Sequence, residues 1–236
     1  MSLRSIVHLA RRWKKVLTGQ DCFFPVLVQS DKQYLGSEYG GWSILSGSLD
    51  ANSIVYSFGV GTDITFDLAL IEAFGVTVHA FDPTPGSIEW VKSQSLPEQF
   101  VLHEYGVASY DGVATFFPPV DVTHISHTLL DRPDTADRKI EVPVYRLVTI
   151  MKMLGHTKID LLKMDIEGAE YDVIKDMLAG EIRPKQLAVE FHHRWENVGT
   201  ARTKEAMANL RKSGYQIFDR SKTWEEYSFV MPLEKP

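Results

Sequence analysis

From about residue 50 onward, short apolar runs alternate with amphipathic stretches of helical spacing. SIVYSFGV at 53–60 reads as a strand stopped by Gly59 and Gly61. A helix follows over 64–73, with Phe66, Leu70 and Phe74 on one face. VTVHAFD at 76–82 is a second strand, and Pro83 and Pro85 break the chain before a helix over 87–95. QFVLHEYGVA at 99–108 is a third run, and after the turn at Asp111-Gly112, VATFFPPV reads as its hairpin partner. IEVPVYRL at 140–147 reads as an edge strand, because Pro143 removes one ladder hydrogen bond. A short helix covers 148–154. KIDLLKMD at 158–165 and QLAVEFH at 186–192 are core strands, followed by helices over 169–178 and 202–212 respectively. YQIFDR and EYSFVMP close the chain as an antiparallel pair. Such alternation predicts βα units on a mainly parallel sheet.

Residues 1–50 are expected to form a helical and loop extension packed on a core domain over 51–236, with Gly-rich turns at Gly36 and Gly40-Gly41. The start of the chain carries Arg11, Arg12, Lys14 and Lys15 around a short apolar run. That run is too short for a secretory signal and suits a basic amphipathic helix lying across the domain. Residues 121–139 are polar and irregular, and His124, His127 and Arg132 there are candidates for an acceptor lid or for a plain surface loop.

Composition narrows the function. Apolar residues at 44% supply a substantial core, and 31 acidic against 25 basic residues argue against a nucleic-acid surface. Cys22, the single cysteine, rules out an intrachain disulfide and suits a reducing, cytoplasmic setting. No segment has the apolar length for stable membrane insertion. Nothing in the chain sets an oligomeric state, a homodimer included.

In open α/β sheets ligands sit beyond the carboxyl ends of the strands. The predicted strand ends carry Gly59, Gly61 and Asp63; Asp82 and Pro83; Gly106 and Val107; Asp165, Glu167 and Gly168; and Glu190, His192 and His193. Gly59 and Gly61 permit a tight turn and close approach of a ligand to the backbone. Asp82, 21 residues after Gly61, suits a carboxylate that accepts two ribose hydroxyls. Ile64 stands where a dinucleotide fingerprint has its third glycine, which favours S-adenosylmethionine over NAD. Asp165 is expected to face the cleft, since a strand-end carboxylate otherwise loses solvation without gain. Glu167 reads equally as a site residue or as helix-start charge, and Glu170 as a solvent-facing acid at a helix start. Methyl transfer to an oxygen needs alignment and a proton acceptor. His192 or His193 could be that base, with only one of them facing the cleft, or both could be rim residues. Asp165, Glu190 and His192 are hard and borderline metal donors, but their spacing requires no metal, and none is assigned.

YSFGVGTDITFD at 56–67, HAFDPTP at 79–85 and, above all, IDLLKMDIEGAEYDVI at 159–174 resemble FkbM-type methyltransferases of the class I S-adenosylmethionine-dependent fold. YGGW at 39–42 also resembles a Gly-Gly turn of some relatives. The resemblance implies a Rossmann-like three-layer αβα sandwich, with a mainly parallel seven-stranded sheet and a reversed last strand. It implies S-adenosylmethionine as cofactor, with Gly59, Gly61 and Asp63 along its methionine part, Asp82 and Pro83 at the ribose, and Gly106 and Val107 at the adenine. The expected activity is O-methylation of a small hydroxylated acceptor, a sugar or secondary metabolite. The alternatives are an NAD-dependent oxidoreductase and a non-catalytic binding protein on the same fold.

Overall fold

The computed structural model describes residues 3–117, 139–195 and 197–232. Helix α1 spans Leu3–Leu17, and strands β1 (Lys32–Leu35) and β2 (Trp42–Leu45) form an antiparallel hairpin. The core then runs β3 (Ile54–Phe58), α2 (Thr65–Phe74), β4 (Thr77–Phe81), α3 (Pro85–Ser93), β5 (Phe100–His103), β6 (Gly106–Val107), β7 (Gly112–Phe116), β8 (Ile140–Tyr145) and α4 (Leu147–Leu154). It ends with β9 (Leu161–Met164), α5 (Glu170–Ala179), β10 (Gln186–Glu190), α6 (Gly199–Lys212), β11 (Gln216–Arg220) and β12 (Glu226–Val230).

Seven strands form one sheet in the order β11-β12-β10-β9-β3-β4-β5. All pairs from β10 to β5 are parallel, and β12 runs antiparallel to both of its neighbours. The reversed strand is last in the chain but lies one position in from the sheet edge, where β11 stands. Strand alternation divides the core. Tyr56, Phe58, Leu162 and Met164 pack with α4, α5 and α6 on one face, whereas Val55, Val78, Ala80 and Leu161 pack with α2 and the β1–β2 hairpin on the other.

The run at 99–108 divides into β5 and β6, which join different sheets. β6, β8 and β7 make a separate three-stranded sheet with β8 in its centre. The expected pairing of VATFFPPV with the preceding run and the expected edge position of 140–147 are therefore both corrected. Pro143 is tolerated because β6 reaches only Val144 and Tyr145, so β8 has an open edge beside the proline. His124, His127 and Arg132 lie outside the described residues. No helix among the described residues is long and apolar enough to cross a membrane.

Candidate active site

A cavity of about 600 Å³ opens at the carboxyl ends of β3, β4, β9 and β10. That volume is within the usual range for small-molecule sites. Its walls include Gly59, Gly61 and Asp63, Asp82 and Pro83, Gly106 and Val107, Asp165 and Glu167, and Glu190 and His192. Nearly all of the predicted rim residues thus meet in one place.

Backbone contacts explain the glycines. A Cβ on Gly59 would lie 1.7 Å from the carbonyl oxygen of Asp165, and φ there is +79°. Only glycine lets the ends of β3 and β9 touch. Gly61, at φ +57°, has no such neighbour, and its N–H donates to Asp82 Oδ2 at 2.9 Å. The N–H of Thr84 donates to Asp82 Oδ1, also at 2.9 Å. Asp82 is buried, yet each oxygen keeps a lone pair beyond its backbone bond. Asp63 lines the cavity but is tied to the N-terminal section. Its Oδ2 accepts from the Ser37 hydroxyl at 2.6 Å, and its Oδ1 accepts from Thr65 N–H at 3.0 Å at the start of α2. Gly40 lets the YGGW turn press on Asp63, since a Cβ there would come within 2.7 Å of Oδ2.

The opposite wall is acidic. His192 is 7% exposed, and its Nε2 stands 3.6 Å from Glu167, 3.8 Å from Asp165 and 4.0 Å from Glu190. Its ring meets Trp195 edge-on, with centroids 4.7 Å apart. Burial opposes charge on this imidazole, but the carboxylates of Glu170, Asp165 and Glu190 outweigh burial and hold its pKa well above the ordinary value. The surrounding carboxylates thus favour the protonated form of His192. Burial and the nearby Asp165 carboxylate push the Glu190 carboxyl well above the usual range, against the pull of His192. Glu167 adopts a left-handed backbone at φ +55°, which costs about 1 kcal/mol in a non-glycine residue.

Two further expectations change. His193 does not face the cavity. Its Nε2 lies 2.6 Å from Asp21 Oδ1, and Arg194 reaches Asp21 Oδ2 at 3.1 Å, so His193 ties the N-terminal section to the core. Alternation at the strand end sends the two adjacent imidazoles in opposite directions. Glu170 is not solvent-facing. It is fully buried and accepts the N–H groups of Ile166 at 2.9 Å and Gly168 at 3.1 Å, so it shapes the turn after β9. A buried carboxylate there satisfies backbone donors that the turn would otherwise leave unpaired.

Lys163 is a site residue that the pattern reading passed over. It lies in register with Ser57 and Ala188, whose small side chains leave room for it. Its Nζ donates to the carbonyls of Gly59 at 2.5 Å and Phe58 at 3.2 Å. Asp67 of α2 is buried nearby; burial raises its pKa, and the charge of Lys163 opposes that rise. A lysine inside DLLKMD was the available signal, because a charge in a buried strand needs a reason.

The family described as Methyltransferase FkbM domain matches residues 30–217. The chain belongs to this family. The matched span includes the β1–β2 hairpin and every strand end around the cavity. Among curated relatives, Probable methyltransferase-like protein 24 of Rattus norvegicus is 25% identical over 185 residues, covering 77% of this chain and 44% of the relative. The chain thus spans less than half of that relative. 31-O-demethyl-FK506 methyltransferase FkbM of Streptomyces tacrolimicus is 24% identical, with 72% of this chain and 75% of the relative covered. A crystal structure of methyltransferase FkbM from Methylobacillus flagellatus KT matches with a TM-score of 0.50 and 15% identity, over 77% of this chain and 44% of that one. This last likeness concerns the fold, a class I methyltransferase architecture.

Proposed function

We propose that this FkbM-family chain is an S-adenosylmethionine-dependent O-methyltransferase acting on a small hydroxylated acceptor, such as a sugar or a secondary metabolite. The observation that carries the reading is the meeting of the side-chain-free turn at Gly59–Gly61 with Asp82 and Asp165 around one cavity of about 600 Å³. The cofactor fits the residues present. Gly59 and Gly61 leave the backbone open, and the remaining lone pairs of Asp82 can accept two ribose hydroxyls. Gly106 and Val107 offer an apolar border for a base, and the acidic wall favours a cationic sulfonium.

When bound, S-adenosylmethionine supplies an electrophilic methyl group on sulfur. In this reading Asp165, half-buried in the wall, accepts the proton of an acceptor hydroxyl as the oxygen becomes methylated. His192 stands beside Asp165 and Glu167 in the same wall, with its Nε2 at 3.8 and 3.6 Å from them. Incubating the full chain with isotopically labelled methyl donor and a metabolite extract, followed by mass spectrometry, tests the reading. Labelled methyl ethers are expected. Donor binding without transfer to any acceptor would instead favour a binding protein on the same fold.

A further inference from the structure

Asp165, Glu190 and His192 stand apart from the cofactor-side contacts because they face one another. Their donor atoms lie within 4.8 Å of one another. The imidazole is more than nine-tenths buried, and its Nε2 faces the carboxylates of Glu167, Asp165 and Glu190 at 3.6, 3.8 and 4.0 Å. Those separations are too long for hydrogen bonds. Two donors each about 2.1 Å from one ion stand at most about 4.2 Å apart, so the Asp165 and Glu190 separations are within reach of a shared ion. On the far side of the ring, Nδ1 faces buried Glu170 Oε1 at 3.1 Å, although it makes no aligned hydrogen bond among the described residues. An imidazole with one nitrogen toward a cluster of donors and the other beside a carboxylate has the layout of a metal ligand with its supporting shell.

We propose that Asp165, Glu190 and His192 bind one divalent cation. Two carboxylates and one imidazole suit an ion between hard and borderline, and Mn²⁺ matches that donor set best. The ion offsets the excess of carboxylates in this wall. Three protein donors leave positions open on an octahedral ion. The site therefore accepts oxygen ligands from a substrate, and a diol or catechol-like acceptor with two adjacent hydroxyls is the class it fits. That role in catalysis rests on the function proposed above; the binding of the ion does not.

Mn²⁺ titrated into the metal-stripped full chain, with free ion followed by electron paramagnetic resonance, tests the proposal. One saturable site is expected, at least ten-fold weaker in Glu190→Gln and in Asp165→Asn and unchanged in Asp172→Asn, whose side chain is exposed on α5. Circular dichroism confirms that each variant is folded, and if Glu190→Gln is not, Asp165→Asn carries the comparison. Absence of saturable binding, or equal binding by the site variants, overturns the site. Calorimetry with S-adenosylhomocysteine on the metal-stripped chain separates the two readings. Nucleoside binding without Mn²⁺ binding removes only the metal site, and Mn²⁺ binding without nucleoside binding upholds the site and removes the function.

Discussion

Asp160 and Asp165 bracket the same strand, β9, and their surroundings are opposite. At the amino end, Asp160 is 1% exposed and surrounded by positive partners. Its Oδ2 accepts Ile54 N–H at 2.9 Å, and Lys185 and Lys158 approach at 2.7 and 3.2 Å. At the carboxyl end, Asp165 shares its surroundings with Glu167, Glu190 and a single imidazole. One end of the sheet balances its buried charge and the other crowds like charges together. Crowded carboxylates lose stability unless a ligand or a reaction uses them. The balanced end reads as structure, and the crowded end reads as a site.

Four experiments sharpen that contrast. The largest effect is expected from Gly59→Ala, which forces a Cβ into the Asp165 carbonyl and should destabilise by about 4 kcal/mol. Gly61→Ala should cost only about 1 kcal/mol, since it meets left-handed strain without a clash. Thermal melts of the two variants compare them directly, and equal losses would contradict the contact between β3 and β9. Asp165→Asn comes next. It should lower turnover by about 100-fold or more while leaving stability within about 0.5 kcal/mol, because it relieves crowding. Denaturant melts and methyl-transfer rates together decide this, and a large stability loss would place Asp165 with the structural acids. Asp160→Asn should show the reverse, a loss of about 2 kcal/mol with unaltered transfer rates in the folded fraction.

The smallest effect is one of pH. Burial alone would raise the Asp160 carboxyl, but Lys185 and the Ile54 N–H carry it below its ordinary value. Its contribution is thus complete above the unfolded aspartate value of about 4 and is lost as pH falls through the lower folded value. The wild-type melting temperature should fall more steeply than that of Asp160→Asn in that acid range. Parallel curves would mean that Asp160 is not the group responsible.

The strands and helices around the cavity were legible because each is a local pattern. Gly59, Gly61 and Asp82 could be placed because their spacing follows from one βαβ unit. What the pattern missed depends on distant partners. His193 turns away because Asp21 waits 172 residues earlier in the chain. Glu170 looked like an ordinary helix-start acid because its burial depends on how the turn after β9 folds back on itself. Lys163 required knowing that Ser57 and Ala188 flank it. The small sheet of β6, β7 and β8 arises from strand pairing that no period of hydrophobic residues encodes.

Calorimetry with S-adenosylhomocysteine tests the central claim most directly, using wild type, Asp82→Ala and Asp160→Asn, each shown to be folded at the working temperature. Single-site binding by the wild type, at least ten-fold weaker in Asp82→Ala and unaltered in Asp160→Asn, is the predicted result. No binding by the wild type, or equal binding by all three, would contradict a nucleoside site at the carboxyl edge of the sheet.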